Sequence, residues 1–211
     1  MPSSPGRDPA GAGAPATTAG TAVGALGAEL GPIVLVGMMA TGKTTISRQL
    51  AKAFGRRIYD SDAMIEARTG RTVAQLFDEG GEPAYRDLET LVLDEALAAE
   101  PPGVVAAAGG VVLREANRAR LRRASADGGV VIWLRADPAI LARRVRPGDH
   151  RPLIAHDPAG TLARLASERE PLYAEVADRS VDTGRGSFAQ VVDEVMAAIE
   201  SVAAQRGEGE R

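Results

Sequence analysis

From Ile33 to Thr45 the chain reads Ile-Val-Leu-Val-Gly-Met-Met-Ala-Thr-Gly-Lys-Thr-Thr, and this stretch limits the possible folds more tightly than any other. An apolar run, Ile33–Val36, breaks at Gly37 into a loop of Met38, Met39, Ala40 and Thr41. The loop closes on Gly42, Lys43, Thr44 and Thr45 and enters a helical pattern. This is G-x-x-x-x-G-K-[ST] in the strand, loop and helix context that a phosphate-binding loop requires. Phosphate oxygens need backbone N–H groups aimed at them. Gly37 and Gly42 let the chain curl close enough, and the following helix turns its positive end toward the same anion. Lys43 supplies the charge that neutralises β- and γ-phosphates, and Thr44 supplies a hydroxyl for Mg²⁺. The pattern implies ATP or a related nucleoside triphosphate.

Composition narrows what surrounds this loop. A chain of 211 residues that is 45% hydrophobic has enough apolar mass for one good core, so a single domain is expected. A net charge of −3 gives no reason to expect nucleic acid or an anionic membrane as partner. There is no cysteine, which excludes disulfides and thiolate metal sites. Residues 1–29 are almost all Ala, Gly, Pro, Thr and Ser, with too little large apolar surface to offset the entropy of ordering; they read as a disordered tail. The tail has neither the basic start nor the continuous apolar core of a secretory signal, and Arg7, its only basic residue, gives little support to a transit peptide. No apolar run reaches the length needed to span a bilayer. A cytoplasmic monomer is expected, and residues 205–211 should fray.

Beyond the loop, short β-branched runs alternate with helical patterns. Strands are expected at Ile33–Gly37, Arg57–Asp60, Val104–Ala108, Val130–Leu134 and Ser180–Asp182. Helices are expected at Thr44–Phe54, Pro83–Ala99, Glu115–Ala124, Pro138–Val145, Ala159–Glu168 and Phe188–Val202. Gly55 after the first helix, Pro101-Pro102 after the second and Asp137-Pro138 opening another mark the boundaries. Such alternation predicts an α/β fold, a five-stranded parallel sheet covered by helices on both faces. Ligands in these folds sit at the carboxyl ends of the strands, so the residues just past each strand carry the most functional information.

After the second strand comes Asp60-Ser61-Asp62. In an extended or turning segment the two carboxylates face the same way, one toward a Mg²⁺ at Thr44 and one toward a substrate hydroxyl; an Asp capping the next helix is the alternative. Further on, Arg86 comes directly after Tyr85 one turn into a helix, which suits a pocket that clamps a carboxylate, though Glu82 on a solvated face would also pair with it. Gly109-Gly110 after the third strand allows a ligand close to the backbone, as would a plain tight turn.

Taken in order, six motifs resemble the shikimate kinase family across about residues 31–200. They are Gly37–Thr44, Asp60-Ser61-Asp62, the Gly-Glu-x-x-aromatic-Arg-x-x-Glu run of residues 81–89, Ala108-Gly109-Gly110, Arg151-Pro152-Leu153, and Arg169-Glu170-Pro171-Leu172-Tyr173. The resemblance implies a three-layer α/β/α P-loop kinase fold with a mobile lid between about Arg146 and Pro158. It implies Mg²⁺ held by Thr44 and by Asp60, mainly through water, and ATP held by residues Gly37 to Thr45 with Arg144 against adenine. Asp62 would bind substrate hydroxyls and take the attacking proton. Arg86 and Arg169 would clamp the substrate carboxylate, Gly109 and Gly110 would meet the ring, and Phe77 and Tyr85 would wall the pocket. Lys43 and Arg151 would act on the transferring phosphoryl group, Arg151 from the lid. His150 and His156 read as exposed lid residues.

The implied activity is ATP-dependent phosphorylation of shikimate at its 3-hydroxyl, in aromatic amino-acid biosynthesis. Three positions depart from the family pattern. Ala40 and Ala108 stand where glycine is common, and Ala106 where a hydroxyl residue is common. Ala40 conflicts with its loop only if positive φ is needed there. Two other readings remain open on the sequence: a kinase for another carboxylated polyol such as gluconate or a carbocyclic sugar acid, and a nucleotide-binding relic without catalysis.

Overall fold

The computed structural model describes residues 29–145 and 157–209. The N-terminal tail, most of the expected lid, and with it Arg151, His150 and His156, lie outside the described residues. Five strands are present among them: β1 (Ile33–Val36), β2 (Ile58–Asp60), β3 (Val104–Ala106), β4 (Val130–Arg135) and β5 (Arg179–Asp182). All pair in parallel, in the order β2-β3-β1-β4-β5. The helices are α1 (Lys43–Phe54), α2 (Ser61–Thr69), α3 (Val73–Leu97), α4 (Glu115–Ala126), α5 (Pro138–Arg144), α6 (Pro158–Val176) and α7 (Phe188–Gly209).

The period of two along each strand divides the apolar residues between two layers. Val34, Val36, Val105 and Val131 face α3, α4, α5 and α6, burying Leu93, Leu121, Leu141, Leu162 and Tyr173. Ile33, Leu35, Val104, Val130, Ile132 and Leu134 face α1 and α7, burying Ile46, Leu50, Val195 and Ile199. Each large aliphatic side chain buried this way contributes about 1.5–3 kcal/mol, which is why strands apolar on both faces settle inside the sheet. A smaller cluster of Ile65, Leu76, Tyr85 and Val92 fixes α2 and the start of α3 beside the sheet.

The chain leaves β1 toward β3 and β2 on one side and later returns to β4 and β5 on the other. β1 is therefore the switch point, and the crevice above its carboxyl end is where this topology offers a ligand site. Leu35 and Asp60 are both paired with Ala106, so the ends of β1, β2 and β3 lie level.

Several expected boundaries move. The strands stop before Gly37, Ala107 and Ala108, because those residues begin the loops at the ligand end, and Arg57 lies outside β2. The helix expected from Pro83 is the second part of α3. Its first part starts at Val73, with a Thr72–Gln75 capping box, and the two join at Gly81 (φ 70°, ψ 178°) just before Pro83. Pro83 has no N–H to bond backward, and Gly81 absorbs the break. The helix α6 runs on past Pro171 to Val176, well beyond Glu168. Burial of Leu165, Arg169, Tyr173 and Val176 outweighs the bond that Pro171 cannot make. Residues 205–209 continue α7, and Arg206 pairs with Asp178 at 3.1 Å and Ser125 at 2.8 Å.

Candidate active site

The loop after β1 turns through positive φ at Gly37, Ala40 and Gly42. Gly37 has φ 141°, and a Cβ there would meet the Leu134 carbonyl oxygen at 2.2 Å. Ala40 has φ 62°, the one non-glycine residue with positive φ among those described, so the conflict between alanine and this position is real. Lys43 Nζ donates to the carbonyls of Gly37 and Met38, at 2.9 Å each, and Thr41 Oγ1 donates to the Met38 carbonyl at 2.8 Å. Lys43 begins α1, so the ammonium and the helix N-terminus converge on one concavity.

Asp60 ends β2, and its Oδ2 accepts from Thr44 Oγ1 at 2.6 Å. Its other oxygen caps α2 at the Ala63 N–H (3.3 Å). Where an extended or turning segment or a capping Asp was expected, the structure has the cap: a helix starts at Ser61, Asp60 caps it, and Asp62 projects from its first turn. Both carboxylates still line one cleft of about 550 Å³, together with Lys43, Thr44, Phe77, Tyr85, Arg86, Glu89, Ala106, Ala108, Gly109, Gly110 and Arg169. No cluster of three or more His, Cys, Asp or Glu side chains able to hold a metal occurs among the described residues. The paired oxygens of Thr44 and Asp60 fit Mg²⁺, which takes hard oxygen ligands, keeps several waters and completes its shell with phosphate rather than with a protein cage.

The far end of the cleft is a ladder of buried charge. Arg86, 7% exposed, donates to Glu89 at 2.5 Å and to Glu82 at 2.6 and 3.1 Å. Burial works against the Arg86 cation, but Glu89 and Glu82 hold its pKa above the ordinary value. Burial pushes the Glu89 carboxyl above the usual carboxylate range, against the pull of Arg86. Gly110 is required here, since a Cβ on it would fall 1.8 Å from Arg86 Nη1. Arg169, 3% exposed, donates to the Gly109 carbonyl at 3.2 Å, and the Tyr173 hydroxyl donates to the same oxygen at 2.5 Å. The Arg169 Nε is buried and has no hydrogen-bond partner among the described residues. A buried donor of this kind costs about 1–3 kcal/mol unless something accepts from it.

A second hollow of about 300 Å³ opens on the other side of the phosphate loop, lined by Ala40, Thr45, Arg144, Thr183, Phe188 and Val191. Arg144 crosses it, donating to the Thr183 carbonyl at 2.5 Å.

Comparison with known proteins agrees with this geometry. The family model described as shikimate kinase matches residues 39–200. The chain belongs to the shikimate kinase family. A shikimate kinase of Symbiobacterium thermophilum is 44% identical over 179 residues, 83% of this chain and 98% of that one. Another, of Ralstonia nicotianae, is 43% identical over 169 residues, 80% of this chain and 86% of its own. A solved shikimate kinase from Acinetobacter baumannii, in complex with shikimate, superposes with TM-score 0.76 at 34% identity, covering 82% and 95% of the two chains. A gluconokinase from Sinorhizobium meliloti, at TM-score 0.65 and 21% identity, shares the fold alone.

Of the described residues expected from the sequence to form a site, Met39, Ala40, Gly42, Lys43, Thr44, Thr45, Asp60, Asp62, Phe77, Tyr85, Arg86, Gly109, Gly110 and Arg169 line this cleft, Thr41 and Arg144 line the neighbouring hollow, and Gly37 and Met38 line neither. Glu89 and Tyr173 stood within quoted motifs but were given no role, and Thr183 was not named. Glu89 stands one turn after Arg86, a spacing that signals an ion pair. Tyr173 meets Gly109, and Thr183 meets Arg144, contacts between residues distant in sequence that local spacing does not reveal.

Proposed function

We propose that this cleft transfers the γ-phosphoryl group of ATP to the 3-hydroxyl of shikimate, giving shikimate 3-phosphate and ADP on the route to chorismate and the aromatic amino acids. The observation that carries the reading is the buried Arg169 guanidinium, its Nε without a partner among the described residues, facing the same cleft as the phosphate loop. A phosphate site at one end and a buried arginine lining the other suit a small acceptor that bears both a hydroxyl and a carboxylate.

Phosphoryl transfer depends on positioning and charge neutralisation, and the residues divide that work. The backbone from Gly37 to Thr45, with Lys43, cradles the phosphates, and Arg144 lies beside the base. Thr44 and Asp60 are the residues that would hold Mg²⁺, whose charge would offset that of the phosphates. Arg169 and Arg86 take the carboxylate, while Phe77 and Tyr85 wall the ring and Gly109 and Gly110 let it approach the backbone. The substrate oxygen forms its bond to the γ-phosphorus as the bond to the β–γ bridging oxygen breaks. The substrate hydroxyl gives its proton to Asp62, which passes it to solvent. Arg151, outside the described residues, is assigned to the moving phosphoryl group. The proposal includes a cytoplasmic monomer. No helix among the described residues is long and apolar enough to cross a membrane.

ADP release measured with Mg-ATP and, separately, shikimate, gluconate and a cyclitol acid tests the reading. Turnover with shikimate is expected and should vanish in Lys43→Met. Turnover with gluconate alone, or ATP binding with no turnover on any acceptor, overturns it.

A further inference from the structure

The side chain that the proposed mechanism needs most closely aligned is Asp62, and α2 alone does not align it. It stands in the first turn of a nine-residue helix, where a carboxylate is free to rotate about its bonds. The Tyr85 hydroxyl reaches across from α3 and donates to Asp62 Oδ1 at 2.9 Å. The tyrosine ring is itself held on its other sides. It packs against Phe77 with ring centroids 4.6 Å apart, and the Arg86 guanidinium lies 5.6 Å from its centroid. Arg86 in turn is fixed by Glu82 and Glu89. The hydroxyl thus projects from a buried ring with little freedom to turn.

We propose that Tyr85 is a positioning residue for Asp62: its hydroxyl occupies Oδ1 and leaves Oδ2 turned to the cleft as the one oxygen that receives the substrate's proton. This assignment rests on the reading of Asp62 as the proton acceptor. It goes beyond the role of Tyr85 as a wall of the pocket, which a phenylalanine would fill equally well. Burial, and after it the negative charges of Asp62 and Glu89, pushes the Tyr85 phenol far above its ordinary range, so the hydroxyl remains a donor at any working pH. Asp62 then has one fixed role for each oxygen: Oδ1 accepts from tyrosine in every step, and Oδ2 takes the proton as the substrate oxygen bonds to phosphorus. The hydrogen bond from Tyr85 engages Oδ1 alone.

Tyr85→Phe keeps the ring, its packing on Phe77 and the Arg86 contact, and removes only the hydroxyl. Because positioned proton transfer contributes about 10²–10⁴-fold, partial loss of alignment is expected to lower kcat about tenfold while the KM for each substrate stays within about twofold. The same change in an Asp62→Asn background should have no further effect, because the residue it acts through is already gone. Single-turnover transfer of radiolabelled γ-phosphate reads all four proteins, including those too slow for steady-state assay, and a thermal melt of each confirms folding. An unchanged kcat in Tyr85→Phe overturns the proposal, as does an equal loss in both backgrounds or a loss confined to KM. If Asp62→Asn itself transfers at the parent rate, the reading of Asp62 fails first, and the two failures are thereby distinguished.

Discussion

Replacing Arg169 with alanine is the sharpest probe of the cleft, because its neighbours confine the damage. Arg86 is less suitable, since its removal would leave Glu89, 2% exposed, as an unpaired buried carboxylate, and breaking such a pair costs about 3–5 kcal/mol in stability alone. Arg169 donates to the Gly109 carbonyl, but Tyr173 already holds that oxygen at 2.5 Å. The loop after β3 should therefore keep its place. What is lost is the charge-assisted contact with a bound carboxylate, about 1.5–3 kcal/mol for one such bond, with Arg86 still supplying the other. Taking about 2–3 kcal/mol at 1.4 kcal/mol per decade gives a rise of roughly 30- to 150-fold in the KM for shikimate. The KM for ATP should stay within about twofold, because the phosphate loop is held by its own bonds, from Lys43 to Gly37 and Met38 and from Thr41 to Met38. Initial rates of ADP release over a two-substrate grid give both constants. An uncharged shikimate analogue lacking the carboxylate supplies the control, on which parent and variant should perform alike. Arg169→Lys, which restores charge without the planar fork, should recover only part of the loss. An equal rise in both KM values, or the same loss on the analogue, would refute the carboxylate clamp.

The same geometry makes three further outcomes testable. Asp60→Asn keeps the cap on α2, since asparagine also caps well, but it removes a charge beside Thr44. The Mg²⁺ concentration for half-maximal rate should rise about tenfold or more, with the melting temperature nearly unchanged; equal Mg²⁺ dependence would remove Asp60 from the metal site. Ala40→Gly relieves a left-handed alanine, a strain of about 1–2 kcal/mol, and gives back about 0.4–1 kcal/mol through the freer unfolded chain. Urea unfolding should show the variant as stable as the parent or up to about 1.5 kcal/mol more so, and a clear loss would contradict the strain at that residue. Glu89 provides a pH test. Its carboxyl is raised by burial, so the folded chain holds that proton more tightly than the unfolded chain. Its contribution to stability is therefore greatest at low pH and declines as pH rises from about 4, the ordinary glutamate value, through the raised one. The stability of the parent minus that of Glu89→Gln should fall across that window, and a difference that grows with pH would reverse the assignment.

Much of the cleft was legible because its residues fall into short runs, each with a spacing of its own. The phosphate loop is one continuous run whose spacing is set by anion geometry, and β1, β3 and β4 announce themselves as apolar runs beside glycine. The segments that escaped the sequence reading share a physical cause. The helix α2 has little apolar periodicity, burying only Ser61 and Ile65, so it was not among the expected helices. The first part of α3 was hidden by Gly80-Gly81 and Pro83, which punctuate a sequence more strongly than they interrupt this helix. The helix α6 crosses Pro171 because its buried face, absent from any local propensity, dominates. In each case tertiary packing overrode the local signal.

The amino-acid order by itself determined the anion site, the parallel sheet and the types of side chain available to the reaction, since each depends on short-range spacing or on the period of apolar residues. Only the tertiary structure decided how those side chains are shared out. It placed Asp60 at the helix cap, drew Arg86 into Glu82 and Glu89, and buried the Arg169 Nε without a partner among the described residues. It also put Ala40 at φ 62° and brought the Tyr85 hydroxyl onto Asp62. Which carboxylate a given cation meets depends on distances between elements far apart in sequence, and those distances are fixed by the packing of helices on the sheet.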